Sequence, residues 1–148
     1  MRPTIGLDFD DVLAPFDSLA IKMANDKYGF NPPLTLEEIT DWDLTGRVGV
    51  IKEFFEKEEL YQSQEVSADV QNVVRNLMEI ADVYFISAVY PKFMSIRALQ
   101  ILNTFPEITP DKIILGSAKD KVHFDIVLDD AIHPIQYQNV IYPLQRQR

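Results

Sequence analysis

The sequence predicts an α/β fold with a parallel sheet of five strands and a small helical insertion after the first strand. Short aliphatic runs alternate with longer helical stretches along 148 residues, a length that suits one ordinary domain with a real core. The runs show little polar alternation, as in central strands that are covered on both faces. Between the first and second runs, residues 9–82 far exceed the ~12 residues that a crossover requires.

Each predicted strand is a brief aliphatic or β-branched run that ends at a polar residue or a turn. In chain order the strands are Thr4–Asp8, Val83–Ser87, Ile113–Gly116, Asp125–Asp129 and Asn139–Tyr142. Helical stretches fill the gaps between them, which is the alternation that βαβ units produce.

Three helices are predicted from their end signals. The first has Asp17 or Ser18 as its N-cap, extends to about Tyr28 and is closed by Gly29. The second has Ser67 as its N-cap, followed by an apolar stripe of Val70, Val73, Val74, Leu77 and Ala81. The third opens at Pro91, and its apolar residues are Phe93, Ile96, Leu99 and Ile101.

The long stretch after the first strand is predicted to be a helical cap. We assign residues 15–66 to the cap, and residues 1–14 and 67–148 to the core. Open α/β sheets bind ligands beyond the carboxyl ends of their strands, so an insertion at that edge is a candidate lid.

Composition excludes several classes of protein. With 47% hydrophobic residues the chain is not disordered, and without cysteine it has neither a disulfide framework nor a thiolate metal site. A net charge of −9 argues against a sequence-independent grip on nucleic acid polymers. We find neither a signal-peptide layout nor the roughly 18 apolar residues of a membrane helix, and therefore expect a cytoplasmic protein with no membrane partner.

The residues that carry chemistry stand at predicted strand ends. Asp8 and Asp10 follow the first strand, Ser87 ends the second, and Asp129-Asp130 ends the fourth, with Lys119 in the loop before it. The carboxyl ends of parallel strands lie at the same edge of a sheet, so these groups should converge there. Several carboxylates in one place require a cation, and oxygen ligands favour Mg²⁺.

This arrangement suggests phosphoryl transfer. Asp8 can attack phosphorus as a nucleophile, while Asp10 protonates the leaving oxygen and later deprotonates water. The Ser87 hydroxyl and nearby backbone N–H groups, including that of Ala88, can hold a phosphate oxygen, and Lys119 neutralises charge on the others. Taken singly, each residue is explained as well by turn chemistry, capping or a solvated surface lysine.

Their order along the chain resembles that of a known superfamily. Asp8-Phe9-Asp10-Asp11-Val12, Ser87, Lys119 and Asp129-Asp130 match in order the four motifs of the haloacid dehalogenase-like phosphatases. Within that superfamily the chain looks most like the 5′(3′)-deoxyribonucleotidases, on the strength of Phe16, the aromatic residue in Thr40-Asp41-Trp42, the short cap, and the run Phe124–Asp130.

The resemblance implies a Rossmann-like core and a Mg²⁺ ion bound by Asp8, the backbone carbonyl of Asp10, and Asp130. Asp129 would orient metal-bound water or Lys119. Phe16, Trp42 and Phe55 would lie on the cap side of the pocket. There the first two would contact the base, whereas for Phe55 packing within the cap is favoured.

Some residues depart from the family pattern. Ala88 and Val89 follow Ser87, where relatives commonly have a polar residue and then proline, so one side-chain phosphate contact is missing. Lys121 competes with Lys119 for the third motif, and its spacing to Asp129 favours Lys119. Lys92 and Arg97 could also assist phosphate binding, but we leave them outside the predicted site.

The predicted function is Mg²⁺-dependent hydrolysis of nucleoside monophosphates through an aspartyl-phosphate. The alternatives are a phosphatase for another small phosphate ester and a catalytically silent nucleotide-binding protein. A signalling receiver module has its motifs in a different order and no comparable insertion. The chain ends soon after the fifth strand, without the closing segment of longer relatives, which leaves the protection of that edge and the oligomeric state open. A homodimer is a further expectation.

Overall fold

A computed structural model describes residues 1–130 and 140–141 of the protein, and these contain a parallel sheet. Its strands are β1 (Thr4–Leu7), β2 (Asp82–Ser87), β3 (Ile113–Leu115) and β4 (Ile126–Leu128). They lie in the order β3-β2-β1-β4, so β1 runs between β2 and β4. This parallel α/β sheet confirms the predicted fold class with four strands.

The structure describes two residues of the predicted fifth strand. Val140–Ile141 form β5, which pairs with β4 in parallel. Asn139 and Tyr142, the ends of the predicted strand, lie outside the described residues.

The described residues contain four α-helices, which are α1 (Asp17–Tyr28), α2 (Glu58–Gln62), α3 (Ala68–Ile80) and α4 (Met94–Thr104). Short 3₁₀ helices cover Leu36–Glu38, Arg47–Glu56, Pro91–Phe93, Pro110–Lys112 and Lys119–Lys121. Ser67 caps α3 as predicted, since its hydroxyl accepts from the Val70 N–H at 3.3 Å. Asp17, by contrast, is the first residue of α1 and not its cap.

The apolar core of the sheet is built from β1, β2 and the helices that flank them. Its fully buried members include Leu7, Phe9, Val74, Phe85, Ile101 and Phe105. Two predicted core residues are exposed instead, Val73 at 58% and Leu99 at 57%. Val73 lies at the margin of the stripe that Val74 occupies, and Leu99 lies across α4 from the buried Ile101.

The chain divides into two compact units. Residues 1–14 and the described residues from Glu65 onward form the core unit, and residues 15–64 form a second unit. The predicted cap, residues 15–66, ends two residues later than this division.

The second unit has its own apolar centre and polar ties. α1 packs on the segment Arg47–Glu56, and the buried residues include Ala20, Ile21, Ile51 and Phe54. The Asn25 side chain exchanges two hydrogen bonds with the Leu34 backbone, at 2.8 and 3.0 Å. In the part of the chain that the structure describes, no helix has the length and apolarity needed to cross a membrane.

Candidate active site

Three polar segments meet where neighbouring strands of the core unit end. Asp8 follows β1, Ser87 ends β2, and Asp129-Asp130 follows β4. Because β1 lies between the other two strands, Asp8 is flanked on both sides. The Asp8 N–H donates to the Leu128 carbonyl at 2.9 Å, which holds the first turn after β1 against β4.

Three carboxylates form the centre of the site. One oxygen each from Asp8, Asp129 and Asp130 lie within 4.8 Å of one another. Asp8 is 5% exposed, Asp129 is fully buried, and Asp130 is half-buried. Such a set of oxygen donors, buried and carrying one sign of charge, fits a hard divalent cation such as Mg²⁺.

Lys119 supplies the positive charge inside this cluster. Its Nζ lies 3.2 Å from Asp8 Oδ1 and 3.2 Å from Asp129 Oδ2, and the residue is 7% exposed. Lys121, at the other end of the same short 3₁₀ helix, is exposed. The structure thus brings Lys119 to the carboxylates, as the motif spacing indicates.

Burial and neighbouring charges both act on the pKa values of Asp8 and Lys119, and the net shift is upward for each. Burial raises the pKa of Asp8 well above its ordinary value; Lys119 opposes that shift, and the neighbouring carboxylates add to it. Burial alone would lower the pKa of Lys119, but the carboxylates of Asp8 and Asp129 outweigh it, and the net shift is upward. Lys119 is therefore charged, whereas the ionised form of Asp8 gains from any additional cation.

The loop after Asp8 turns sharply and presents Asp10. The Phe9 carbonyl accepts from the Leu13 N–H at 2.9 Å, and the Asp11 N–H donates to the Ala14 carbonyl at 2.7 Å. Asp11 adopts a left-handed conformation with φ +61°, which an aspartate tolerates better than most residues. Among the described residues, the Asp10 carboxylate is not part of the three-carboxylate group but points to an arginine.

That arginine is Arg97 of α4, which the sequence prediction left outside the site. Its side chain is fully buried, and its Nη2 donates to Asp10 Oδ1 at 2.8 Å while Nη1 donates to the hydroxyl of the fully buried Ser87. A signal for it exists in the sequence. Arg97 stands four residues from both Phe93 and Ile101, in the buried row of α4, where a charged residue requires partners.

The remaining predicted residues are less closely tied to this cluster. Ala88 is exposed directly after Ser87. Lys92, like Arg97 excluded from the prediction, is exposed, and its Nζ lies 5.0 Å from the centre of the Phe93 ring.

The two aromatic residues predicted to contact a base belong to the second unit and differ in their surroundings. Phe16 is half-buried and stacks on Phe55 with ring centres 5.0 Å apart, and its ring centre lies 5.9 Å from that of Tyr61. Trp42 is 61% exposed. Phe16 is therefore part of an aromatic cluster within its own unit.

Comparison with known proteins adds an independent finding. Residues 2–142 match the family model described as 5′ nucleotidase, deoxy (Pyrimidine), cytosolic type C protein. A 5′(3′)-deoxyribonucleotidase of Clostridium acetobutylicum is 27% identical over 143 residues, which is 93% of this chain and 77% of that protein. Proteins of the same name from Bacillus subtilis and Bacillus phage SPbeta are each 25% identical over 140 residues, covering 92% of this chain and 80% of theirs.

Proposed function

This chain belongs to the deoxy (pyrimidine) cytosolic type C family of 5′ nucleotidases, and from that premise we propose that it hydrolyses deoxyribonucleoside monophosphates to nucleoside and inorganic phosphate. It is a phosphoric monoester hydrolase. The observation that carries the proposal is the meeting of Asp8, Asp129 and Asp130 beside Lys119, one strand away from Ser87.

Asp8 is the nucleophile of the proposed reaction. Its carboxylate oxygen forms a bond to phosphorus as the bond from phosphorus to the nucleoside oxygen breaks, which leaves a phosphoryl group on Asp8. Its burial and its contact with Lys119, whose Nζ lies 3.2 Å from Oδ1, support this role. A buried carboxylate held by a lysine is desolvated and fixed in direction, both of which favour attack.

Asp10 is the proposed acid and base. It gives a proton to the leaving nucleoside oxygen, then takes one from the water that attacks the phosphoryl group and releases Asp8. Asp10 lies two residues beyond Asp8, and its carboxylate pairs with Arg97 and is not one of the three grouped carboxylates. That difference in partners supports different tasks for two neighbouring acids.

Mg²⁺ is the proposed cofactor. Asp8, Asp130 and the backbone carbonyl of Asp10 would hold it, while Asp129 holds Lys119 at 3.2 Å. When bound, the ion would neutralise negative charge on the carboxylates and on the phosphate.

Phosphate binding is assigned to Ser87, Ala88 and Lys119. The Ser87 hydroxyl and the Ala88 N–H would donate to phosphate oxygens, and the Lys119 ammonium would balance charge in the transition state. Trp42 and Phe16 are the proposed contacts to the base. The exposed Trp42 ring supports this role better than Phe16, whose ring already stacks on Phe55.

The proposed partner is a small nucleoside monophosphate, with neither a nucleic acid polymer nor a membrane involved. A cytoplasmic location accords with the cytosolic protein that the family description names. A homodimer remains part of the proposal.

A panel of monophosphates tests the proposed function. We expect phosphate release, dependent on Mg²⁺, from 5′- and 3′-deoxyribonucleotides in preference to ribonucleotides and sugar phosphates. Asp8→Asn is the matched control, because an amide of the same shape cannot accept the phosphoryl group, and its circular dichroism should be unchanged. A clear preference for a sugar phosphate would assign the same chemistry to another ester, and release by Asp8→Asn would remove Asp8 as the nucleophile.

A further inference from the structure

Arg97 makes an unusual set of contacts for a fully buried cation. Nη1 donates to the Ser87 hydroxyl, Nη2 donates to Asp10 Oδ1 at 2.8 Å, and Nε donates to Gln100 Oε1 at 3.0 Å. The guanidinium carbon lies 4.3 Å from the centre of the Phe9 ring. Three edges and one face of the group are therefore fixed by the protein.

The chemistry of these contacts sets the direction of the Ser87 hydroxyl. A guanidinium has five N–H donors and no acceptor, so in its contact with Ser87 the serine oxygen can only accept. The hydroxyl hydrogen of Ser87 then cannot point at Arg97. It remains a donor for another group, which is what a phosphate oxygen requires.

The same guanidinium fixes the Asp10 side chain. Nη1 and Nη2 are the two ends of one planar fork, so Ser87 and Asp10 are held at a set separation from each other. A lysine has a single nitrogen on a flexible stem and cannot impose that separation.

We propose that Arg97 is a positioning residue that holds the Ser87 hydroxyl as a phosphate donor and fixes the Asp10 carboxylate beside it. The inference rests on the proposed function, since it assigns Arg97 to act through the phosphate donor and the acid of that reaction. Ala88, which follows β2, offers no side-chain donor, and the Ser87 hydroxyl is held in its donating direction by a buried arginine.

A double-mutant cycle on phosphate binding tests the proposal that Arg97 holds the Ser87 hydroxyl as a phosphate donor. The variants are Arg97→Gln, Ser87→Ala and both together, with inorganic phosphate as the probe in isothermal titration calorimetry with Mg²⁺. Each single change should weaken phosphate binding about tenfold, the value of one hydrogen bond to a charged group. The double variant should be little weaker than either single variant, because both remove the same donated hydrogen bond.

Kinetic measurements test the proposal that Arg97 fixes the Asp10 carboxylate. Arg97→Gln should lower the first-turnover rate of nucleoside release from a deoxyribonucleotide more than that of nitrophenolate release from p-nitrophenyl phosphate, whose leaving group needs no proton. The expected loss for the nucleotide is roughly tenfold or more, as for other misplaced acids. Arg97→Lys keeps the charge and should recover only part of both losses.

Arg75→Gln is the matched control. Arg75 also joins a helix of the core unit to other segments, through Glu107 at 2.7 Å and the Thr104 carbonyl at 2.9 Å, but it touches none of the site residues named above. It should change Tm without changing phosphate affinity or the ratio of the two first-turnover rates. Thermal unfolding of every variant separates loss of fold from loss of position.

The outcomes divide clearly. If the losses from Arg97→Gln and Ser87→Ala multiply, or if Arg97→Gln changes nothing, Arg97 does not act through Ser87 and the proposal is overturned. A wild-type chain that shows the coupling in phosphate binding but hydrolyses no monophosphate would instead overturn the proposed function and leave the Ser87 assignment standing. A chain that binds no phosphate would overturn both.

Discussion

Buried polar side chains in the core unit are concentrated at the ends of β1, β2 and β4. Among its described residues, those that are less than a tenth exposed are Asp8, Ser87, Arg97, Lys119 and Asp129. Burying charge without a partner costs several kcal/mol, so a fold retains such groups only where they are paired. Here two cations and the carboxylates satisfy one another, which is the perturbed environment that active sites share.

The role of the single residue Asp10 can be tested by changing the leaving group of the substrate. Asp10→Asn should lower kcat for a deoxyribonucleotide by about 10²–10⁴-fold, because the alkoxide then departs without a proton. The loss should be much smaller for p-nitrophenyl phosphate, measured as the rate of nitrophenolate release in the first turnover. Equal losses for both substrates would show that Asp10 is not the acid.

A residue can be placed at this edge of the sheet from the sequence where a strand end determines its position. Asp8 and Asp129 follow strands whose aliphatic runs are evident, Ser87 ends one, and neighbouring parallel strands bring the three together. Arg97 could not be placed in the same way. Its contact with Asp10 joins residues 87 positions apart and depends on how α4 is rotated, which local patterning does not determine.

Among the secondary structure elements, the sequence predicts the strands and the helix caps more closely than it predicts which face of each helix is buried. Ser67 at the start of α3, and Gly29 with φ +61° after α1, mark ends that the sequence already indicates. The segment Arg47–Glu56 is 3₁₀ and is followed by α2, although Ile51–Leu60 has the composition of one helix. Local propensity is similar for the two helix types, so packing of its buried Val48, Ile51 and Phe54 decides.

Substitutions in the second unit should distinguish the role of Trp42 in binding the base from the role of Phe16 in packing. Trp42→Ala should raise KM for deoxyribonucleotides several-fold, as expected for loss of base stacking worth about 1–3 kcal/mol, and leave Tm nearly unchanged because Trp42 is exposed. Phe16→Leu should lower Tm, since the Phe16 ring packs on Phe55.

Steady-state kinetics and thermal unfolding of both variants provide the measurement, with p-nitrophenyl phosphate as the substrate without a base. An equal rise in KM for both substrates would assign Trp42 to packing.

For the whole molecule, stability should depend on the proposed cation. The chain carries a net charge of −9, and three of its carboxylates lie within 4.8 Å of one another. At a Mg²⁺ concentration about 100-fold above its Kd, binding adds about 2.7 kcal/mol to the free energy of unfolding, or about 5–10 °C in Tm. Differential scanning calorimetry with and without EDTA measures this rise.

Asp130→Asn should reduce the rise, whereas Asp26→Asn, at the exposed Lys22–Asp26 pair on α1, should not. Without Mg²⁺, the contribution of Asp8 should make the protein less stable as pH rises above the ordinary carboxyl range. Burial raises the pKa of Asp8, so the folded state binds its proton more tightly than the unfolded chain does. A Tm that does not depend on Mg²⁺ at any pH would contradict the assignment of these carboxylates to a cation.

The most direct test of the account is to locate the phosphoryl group during turnover. Wild-type protein is mixed with Mg²⁺ and a deoxyribonucleotide carrying radioactive phosphate, quenched in acid within the first turnover, and digested for peptide mass spectrometry. We expect label on the peptide that contains Asp8, and none in Asp8→Asn. Hydrolysis that proceeds with label on another residue, or with no labelled protein at any quench time, would contradict it.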